Sequence, residues 1–331
     1  MKIGLIGCGG MGTTHNLSLK ALSGKMDVEV TALADCRQEF LERAAKQWPG
    51  AKTYTTGMEL LREEELDAVH ICLPSYLHAE HAVLAMEKGM HVFCEKPVCL
   101  TAEEGRRLLE VQKKTGVSVM VGQVVRSFDE YRYLKDVYDN KTYGKLKSIV
   151  MQRISGDTKW GFEDWFHDEK KSGSVILDLH IHDLDVIVSL FGVPDQAECR
   201  PCGGPAMDSP ELYRWEYRCG GVNVMAEAGW LNASIPFTAV WRVYFENAMV
   251  IYDGNTVTAY PHGSEPVVFD TEEAVKIPTG INVPPTGWYY AELGHFLSCI
   301  REGKPSPLVP RERILAVLDL LETALEADGS N

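Results

Sequence analysis

The sequence predicts an α/β protein in which a doubly wound parallel sheet precedes an α+β domain built on a large, mostly antiparallel open sheet. Three observations carry this. Strand and helix periodicities alternate through the first 122 of 331 residues. A glycine cluster falls between the first strand pattern and the first helix pattern. Beyond residue 145, strand-like runs dominate, and Val222, Val224, Ala226 and Ala228 recur with the period of a sheet that has one covered face. The expected domains are residues 1–122 and 123–331.

In order along the chain, Lys2–Ile6 reads as a short apolar strand and Met11–Leu22 as a helix. Strand Val28–Ala34, helix Arg37–Gln47, a weak strand Lys52–Tyr54 and a short helix Gly57–Arg62 follow. Asp67–Leu73 is a buried strand, and helix His78–Lys88 stops at Gly89, a natural C-terminal cap. Strand Met90–Cys94 leads to a helix that Thr101 and Glu104 open as a capping box, and Ser118–Gly122 is the sixth strand. Such repeats imply right-handed crossovers and helices on both faces of the sheet. The second half begins with helix Phe128–Tyr138. Its strands are Lys145–Ser155, Glu211–Cys219, Val222–Leu231, Ala239–Glu246 and Met249–Asp253, with helices at Val175–Leu190, Tyr289–Arg301 and Arg311–Ala327. The proline- and glycine-bearing segment Thr271–Gly287 reads as an extended surface loop.

The net charge of −14 and pI near 5.2 repel phosphate backbones and anionic lipid, so nucleic acid and membrane surfaces are not expected partners. No run approaches the ~20 apolar residues of a transmembrane helix, and the apolar start ends at Gly7, too short for a signal peptide. Nine cysteines, an odd number, fit reduced thiols and a cytoplasmic location. Cys199 and Cys202 form a Cys-x-x-Cys that lacks a second ligand pair or a thioredoxin-like context. It is read as two thiols near a strand.

Gly7-Cys8-Gly9-Gly10-Met11-Gly12 is G-x-G-x-x-G at a strand-to-helix junction, where a Rossmann fold places its dinucleotide turn. Gly7 permits the tight turn, Gly9 the approach of backbone to pyrophosphate, and Gly12 close helix–strand packing. Asp35, 23 residues beyond Gly12, is the carboxylate expected on the ribose hydroxyls. Its charge favours NAD as cofactor. Arg37 beside it keeps NADP possible, since an arginine there can pair with a 2′-phosphate.

Further motifs follow: Pro74-Ser75-Tyr76-Leu77-His78, Glu95-Lys96-Pro97 after the fifth strand, and Asp178-Leu179-His180-Ile181-His182-Asp183-Leu184-Asp185 on a later helix. With these residues the chain resembles the Gfo/Idh/MocA family, the glucose–fructose oxidoreductase and inositol dehydrogenase group, over nearly its whole length. The resemblance implies an NAD(P)-dependent oxidoreductase acting on CH–OH groups. It implies a cofactor site drawn from the glycine turn with Gly10 and Met11, from Asp35 and Arg37, and from Pro74, Ser75, His78, Glu95, Lys96 and Gln123. It also implies a second domain used for substrate binding and oligomer contacts, and no metal.

The chemistry of the same residues can be argued separately. Lys96 ends a parallel strand beside the crevice where such sheets bind ligands, and a cation there stabilises the alkoxide that develops as an alcohol loses hydride. Asp178 and His182, four apart on a helix, share a face. His182 can exchange the hydroxyl proton, and Asp178 can orient it or bind substrate. Asp185, three residues on, shares that face as a substrate-binding candidate; an Asp/His/Asp set is also a conceivable metal-ligand set. His180 should point elsewhere. Gln123 and Arg126 can line the crevice. Trp160, Trp165, Phe166 and His167 lie on a loop before the helix, where rings suit a sugar or cyclitol face or pack a domain interface. Trp230 and Trp288 carry the same two readings, while His15, His78 and His81 read as helix-surface or packing residues.

The leading expectation is hydride transfer between nicotinamide and a secondary alcohol or ketone of a sugar, cyclitol or related polyol. Two alternatives remain open. One is a redox-neutral glycosidase working by transient oxidation and elimination; the other is a non-enzymatic nucleotide sensor. The one-sided sheet predicts a homodimer or homotetramer.

Overall fold

The computed structural model describes residues 1–157, 161–202, 212–270, 275–308 and 310–327. Trp160, Glu211 and the first four residues of the 271–287 segment lie outside them. The chain forms two compact units, Met1–Ser127 with Glu273–Arg311, and Phe128–Glu272 with Glu312–Asn331.

The first unit contains β1 (Lys2–Ile6), α1 (Gly10–Ser23), β2 (Glu29–Ala34), α2 (Gln38–Ala45), β3 (Lys52–Tyr54), α3 (Gly57–Glu63), β4 (Ala68–Ile71), α4 (His78–Glu87), β5 (His91–Glu95), α5 (Ala102–Thr115) and β6 (Val119–Gly122). The strands pair in parallel in the order β3-β2-β1-β4-β5-β6. Ile3, Leu5, Val69, Ile71, Val92 and Phe93 are all but inaccessible to solvent, as expected of strands covered on both faces. The capping box forms as expected. Thr101 accepts from the Glu104 amide, the Glu104 carboxylate accepts from the Thr101 amide, and Gly116 closes α5 at φ 75°.

The second unit contains α6 (Asp129–Asp139), β7 (Leu146–Gly156), α7 (Glu169–Ser172), a π turn (Ile176–His180) running into α8 (Ile181–Phe191), β8 (Gln196–Pro201), β9 (Leu212–Cys219), β10 (Val222–Leu231), β11 (Thr238–Phe245), β12 (Ala248–Tyr252), β13 (Val257–Pro261) and β14 (Val267–Phe269). Among the described residues its sheet has eight strands, ordered β14-β13-β12-β11-β7-β10-β9-β8 and antiparallel except for β7 with β10.

The sheet settles which alternating set faces inward. Val224, Ala226, Ala228, Trp241 and Val243 are buried. Their neighbours form the open face, where register aligns Met225, Val150, Arg242 and Ile251 across four strands. On the covered face the π turn lays the His180 ring on Trp215, with centroids 3.6 Å apart and planes within 3°.

Two helices remain, α9 (Trp288–Glu302) in the first unit and α10 (Arg311–Ala327), nearly all of it in the second. The sequence reading assigns everything after residue 122 to one domain. In the structure residues 273–311 return to the first unit because α9 has an apolar face that α1 and the sheet core accept. Gly294 lies against Leu22, and Phe296 packs edge-on to Phe93 at 5.5 Å and to His70 at 5.8 Å.

Candidate functional site

The parallel sheet of the first unit brings the nucleotide motifs to one edge. β1, β2, β4, β5 and β6 all end there, delivering Gly7–Gly12, Asp35–Arg37, Pro74–His78, Glu95–Lys96 and Gln123. The glycines divide by role. Gly7 has φ 86°, and a Cβ on it would lie 2.3 Å from the Cys72 carbonyl oxygen. A Cβ on Gly12 would lie 1.9 Å from the Gly7 oxygen. On Gly9 it would meet a side chain, the Arg37 guanidinium, and no backbone, so the glycine leaves room for a ligand to approach. Gly12→Ala is therefore expected to abolish saturable dinucleotide binding in calorimetry and to cost about 1–3 kcal/mol of stability through overpacking.

Asp35 is buried and faces this turn. Its Oδ2 accepts from the Cys8 amide at 2.7 Å, and its Oδ1 from the Arg37 amide at 2.8 Å and Arg37 Nε at 3.3 Å. Gln123 is buried just beyond β6, and its Oε1 has no partner among the described residues, an acceptor left for a group the chain does not itself supply. A closed glycine turn, an open backbone face, a carboxylate and an orphaned acceptor fit a dinucleotide.

The segment read as a surface loop does something else over its described part. Ile277 and Thr286 pair across it, and Gly280 donates its amide to Thr14 Oγ1 at 2.9 Å. A Cβ on Gly280 would stand 2.3 Å from the Gly10 carbonyl oxygen. The segment is a strap lying on the first turn of α1.

Several histidines escape a surface role. His15 and His81 are buried packing residues, His15 within a polar chain the sequence did not reveal. His15 Nε2 lies 2.8 Å from Glu95 Oε1, and His15 Nδ1 lies 3.2 Å from His70 Nδ1. Burial holds His70 neutral, well below its usual range, and its Nε2 has no partner among the described residues. His70, His15 and Glu95 form one hydrogen-bonded chain. Glu95 thus anchors the Glu-Lys-Pro turn inward, packed on Gly122, where a Cβ would lie 2.9 Å from Oε1. His78 is a third buried packing residue. Its ring nitrogens meet the Pro97 carbonyl at 2.6 Å and the Leu73 carbonyl at 2.7 Å, so it ties two loops together. Lys96 is half-buried, Ser75 is buried, and Arg126 donates to the Leu308 carbonyl.

In the second unit one helix carries the candidate acid/base pair. From Val175 to Val188 every residue is buried except Asp178 and His182, which are half-exposed. The π turn containing Asp178 holds one extra residue, a widening found disproportionately at functional sites. Asp185 is buried, unlike the other two. Among the described residues no three His, Cys, Asp or Glu side chains converge as a metal-ligating group. His180 is fully buried, donates or accepts at 2.7 Å with the Tyr217 hydroxyl, and is pushed down to about 3 by burial and by Arg153. It is a core residue beneath the helix. Trp165 stacks on Phe166 at 4.0 Å, and Phe166 meets Trp230 edge-on at 5.9 Å.

These features define the chain as a Rossmann-type dinucleotide-binding protein with a second unit built on an open sheet. Residues 1–123 match the model described as the oxidoreductase family with NAD-binding Rossmann fold, and residues 131–201 match the Gfo/Idh/MocA C-terminal domain. The chain belongs to the Gfo/Idh/MocA oxidoreductase family. It is 31% identical over 192 residues to myo-inositol 2-dehydrogenase of Thermotoga maritima, a match covering 58% of this chain. It is 26% identical over 196 residues to D-glucoside 3-dehydrogenase of Escherichia coli, covering 59% of this chain. The chain spans 55% of the length of each of these relatives. In fold it is similar to levoglucosan dehydrogenase in complex with NADH and levoglucosan, with TM-score 0.84 at 19% identity over 99% of this chain and 97% of that one.

Proposed function

We propose that this chain is an NAD(P)-dependent dehydrogenase or reductase acting on a secondary alcohol or ketone of a sugar, cyclitol or related polyol. The observation that carries the reading is the pair Asp178 and His182, half-exposed on a helix otherwise buried from Val175 to Val188. A helix that buries its apolar residues all round yet leaves a carboxylate and an imidazole partly exposed has placed them for a ligand. The names of the curated relatives, an inositol and a glucoside dehydrogenase, support the substrate class.

Bound nicotinamide supplies the two-electron acceptor or donor at its C4. The chain's own residues manage charge and proton. His182 takes the proton of the reacting hydroxyl during oxidation and returns it during reduction. Asp178 orients the imidazole or accepts a neighbouring substrate hydroxyl. Lys96, next in sequence to the inward-turned Glu95, offers a cation to the oxygen on which negative charge develops. Arg126, Trp165 and Asp185 complete the proposed substrate contacts. Pro74, Ser75, Gln123 and the Gly7–Gly12 turn with Met11 complete the cofactor contacts.

The test is absorbance of reduced nicotinamide while the purified chain meets a panel of polyols, keto-sugars and glycosides. Net reduction of the cofactor with at least one polyol is expected. Sugar release without net reduction would replace the reading with a glycosidase, and no turnover across the panel would replace it with a sensor.

A homo-oligomer, dimer or tetramer, in the cytoplasm completes the proposal. Among the described residues no helix is long and apolar enough to cross a membrane. The open sheet face mixes Val150, Met225, Val240 and Ile251 with Tyr244, itself 49% exposed. A face of that kind is costly to leave in water. Light scattering at micromolar concentration is expected to give twice or four times 36.9 kDa. A monomer mass would show that water tolerates this face.

A further inference from the structure

The helix carrying Asp178 and His182 has a strained entry. Gly173 and Ser174 are both left-handed, at φ 70° and 59°, a costly conformation for serine. The π turn Ile176–His180 follows, with the Ile181 amide bonded back to the Ile176 carbonyl. Wide turns of this kind are rare, and strained backbone persists only where its surroundings over-determine it. Three side chains do so here. Leu177 fills the notch at Gly173, where a Cβ would lie 2.1 Å from Leu177 Cδ1. His180 lies flat on Trp215 of β9 at 3.6 Å, and its Nε2 meets the hydroxyl of Tyr217, two residues along the same strand, at 2.7 Å. Asp183, three residues on, accepts from Arg153 of β7 at 2.8 Å.

These anchors divide the two candidate groups between them. Arg153 and Asp183 fix the turn that bears His182, while His180 fixes the wider turn that bears Asp178. The hold of His180 is constant through any working pH, because burial and Arg153 push its imidazole down to about 3 and keep it neutral. His180, Trp215 and Tyr217 are all buried, so they act on a ligand only through the backbone they hold. Wound to α geometry, the turn would tighten and swing Asp178 about the helix axis, away from its present angle to His182.

We propose that His180 is a positioning residue: by pinning the π turn to β9 it sets the angle between Asp178 and His182, and so the coupling of the carboxylate to the imidazole that handles the proton. The inference rests on the dehydrogenase reading of that pair and deepens it.

Variants of the full chain at His180 and Tyr217 test it. His180→Gln keeps a polar group near the Tyr217 hydroxyl but loses the stacked ring. The double variant His180→Phe with Tyr217→Phe keeps a ring on Trp215 and removes both bonding partners together, so no buried hydroxyl is stranded. With NAD⁺ and the polyol that the wild-type chain oxidises fastest, kcat should fall about 10–100-fold in His180→Gln, the scale of a small misplacement of reacting groups. It should stay within about threefold of wild type in the double variant, and KM and dinucleotide affinity within about twofold in both. The second readout is a double-mutant cycle. Asp178→Asn and His182→Gln should be non-additive in kcat/KM in the wild-type chain and additive within about twofold in the His180→Gln background. A residue that merely stabilised the fold would leave that cycle unchanged. The proposal is overturned if kcat of His180→Gln stays within about twofold of wild type, or if the cycle remains non-additive in it. Loss of the folded state in His180→Gln, read by circular dichroism, would make its role stability rather than position and would also overturn it. A chain that loses turnover in His182→Ala but not in His180→Gln keeps the dehydrogenase reading and loses only this inference. A wild-type chain without turnover on any polyol would overturn both.

Discussion

Alanine in place of His182 is expected to lower turnover by about 10²–10⁴-fold, the usual contribution of a positioned acid/base. Dinucleotide affinity should stay within about twofold, because His182 lies in the second unit and the glycine turn in the first. Stopped-flow absorbance on whichever polyol turns over, paired with calorimetric titration of cofactor, separates the two effects. Added imidazole should restore part of the rate. Lys96→Met should also lower the rate at saturating substrate, since its cation acts on charge that appears only in the transition state. If His182→Ala turned over at nearly the wild-type rate, the acid/base assignment would fall.

Removal of the Asp183 carboxylate should be the most destabilising single change in the second unit. Arg153 rises from β7 into the covered face, where its guanidinium bonds Asp183 Oδ1 at 2.8 Å and the Tyr131 hydroxyl at 2.9 Å, with both charged side chains under 5% exposed. The guanidinium stays charged at any ordinary pH, whereas burial raises the Asp183 carboxyl against the pull of Arg153. Asp183→Ala strands that cation in the core, at a cost of about 3–5 kcal/mol and a melting temperature lower by about 10 °C. The double variant Arg153→Met with Asp183→Leu should recover most of the loss, because it removes both charges together. Thermal denaturation followed by circular dichroism reads each. A single variant melting within a degree or two of wild type would show that water or a neighbour already serves the guanidinium.

The features legible in the sequence are those written locally. The glycine turn, the alternation of strands and helices, the capping box at Thr101 and the acid closing β2 each depend on residues a few positions apart. Those that stayed hidden depend on contacts between distant segments. The open face of the second sheet was undecidable because alternation fixes two faces without saying which receives helices. Contacts with distant helices decide it, among them the stacking of His180 on Trp215 and the bond from Arg153 to Asp183. The π turn adds one residue to a helix whose composition reads as ordinary. His15, His70 and Glu95 stand in three different elements, and only the pairing of β4 and β5 under α1 brings them together. The one available signal was His70, a histidine in the otherwise apolar strand β4.

The return of residues 273–311 to the first unit has a consequence for synthesis. Leu22, His70 and Phe93 receive their covering from Gly294 and Phe296, and Gly10 receives its neighbour from Gly280. A nascent chain emerging from the ribosome completes its six-stranded sheet by Gly122. It must then make a further 180 residues before α9, which ends at Glu302, can close over that apolar surface. During that interval the half-built nucleotide unit presents bare Phe93 and Leu22 to solvent, the kind of exposure that recruits chaperones. A gene fragment ending at residue 127 should reproduce this species permanently, and co-expression of residues 273–311 in trans should relieve its aggregation.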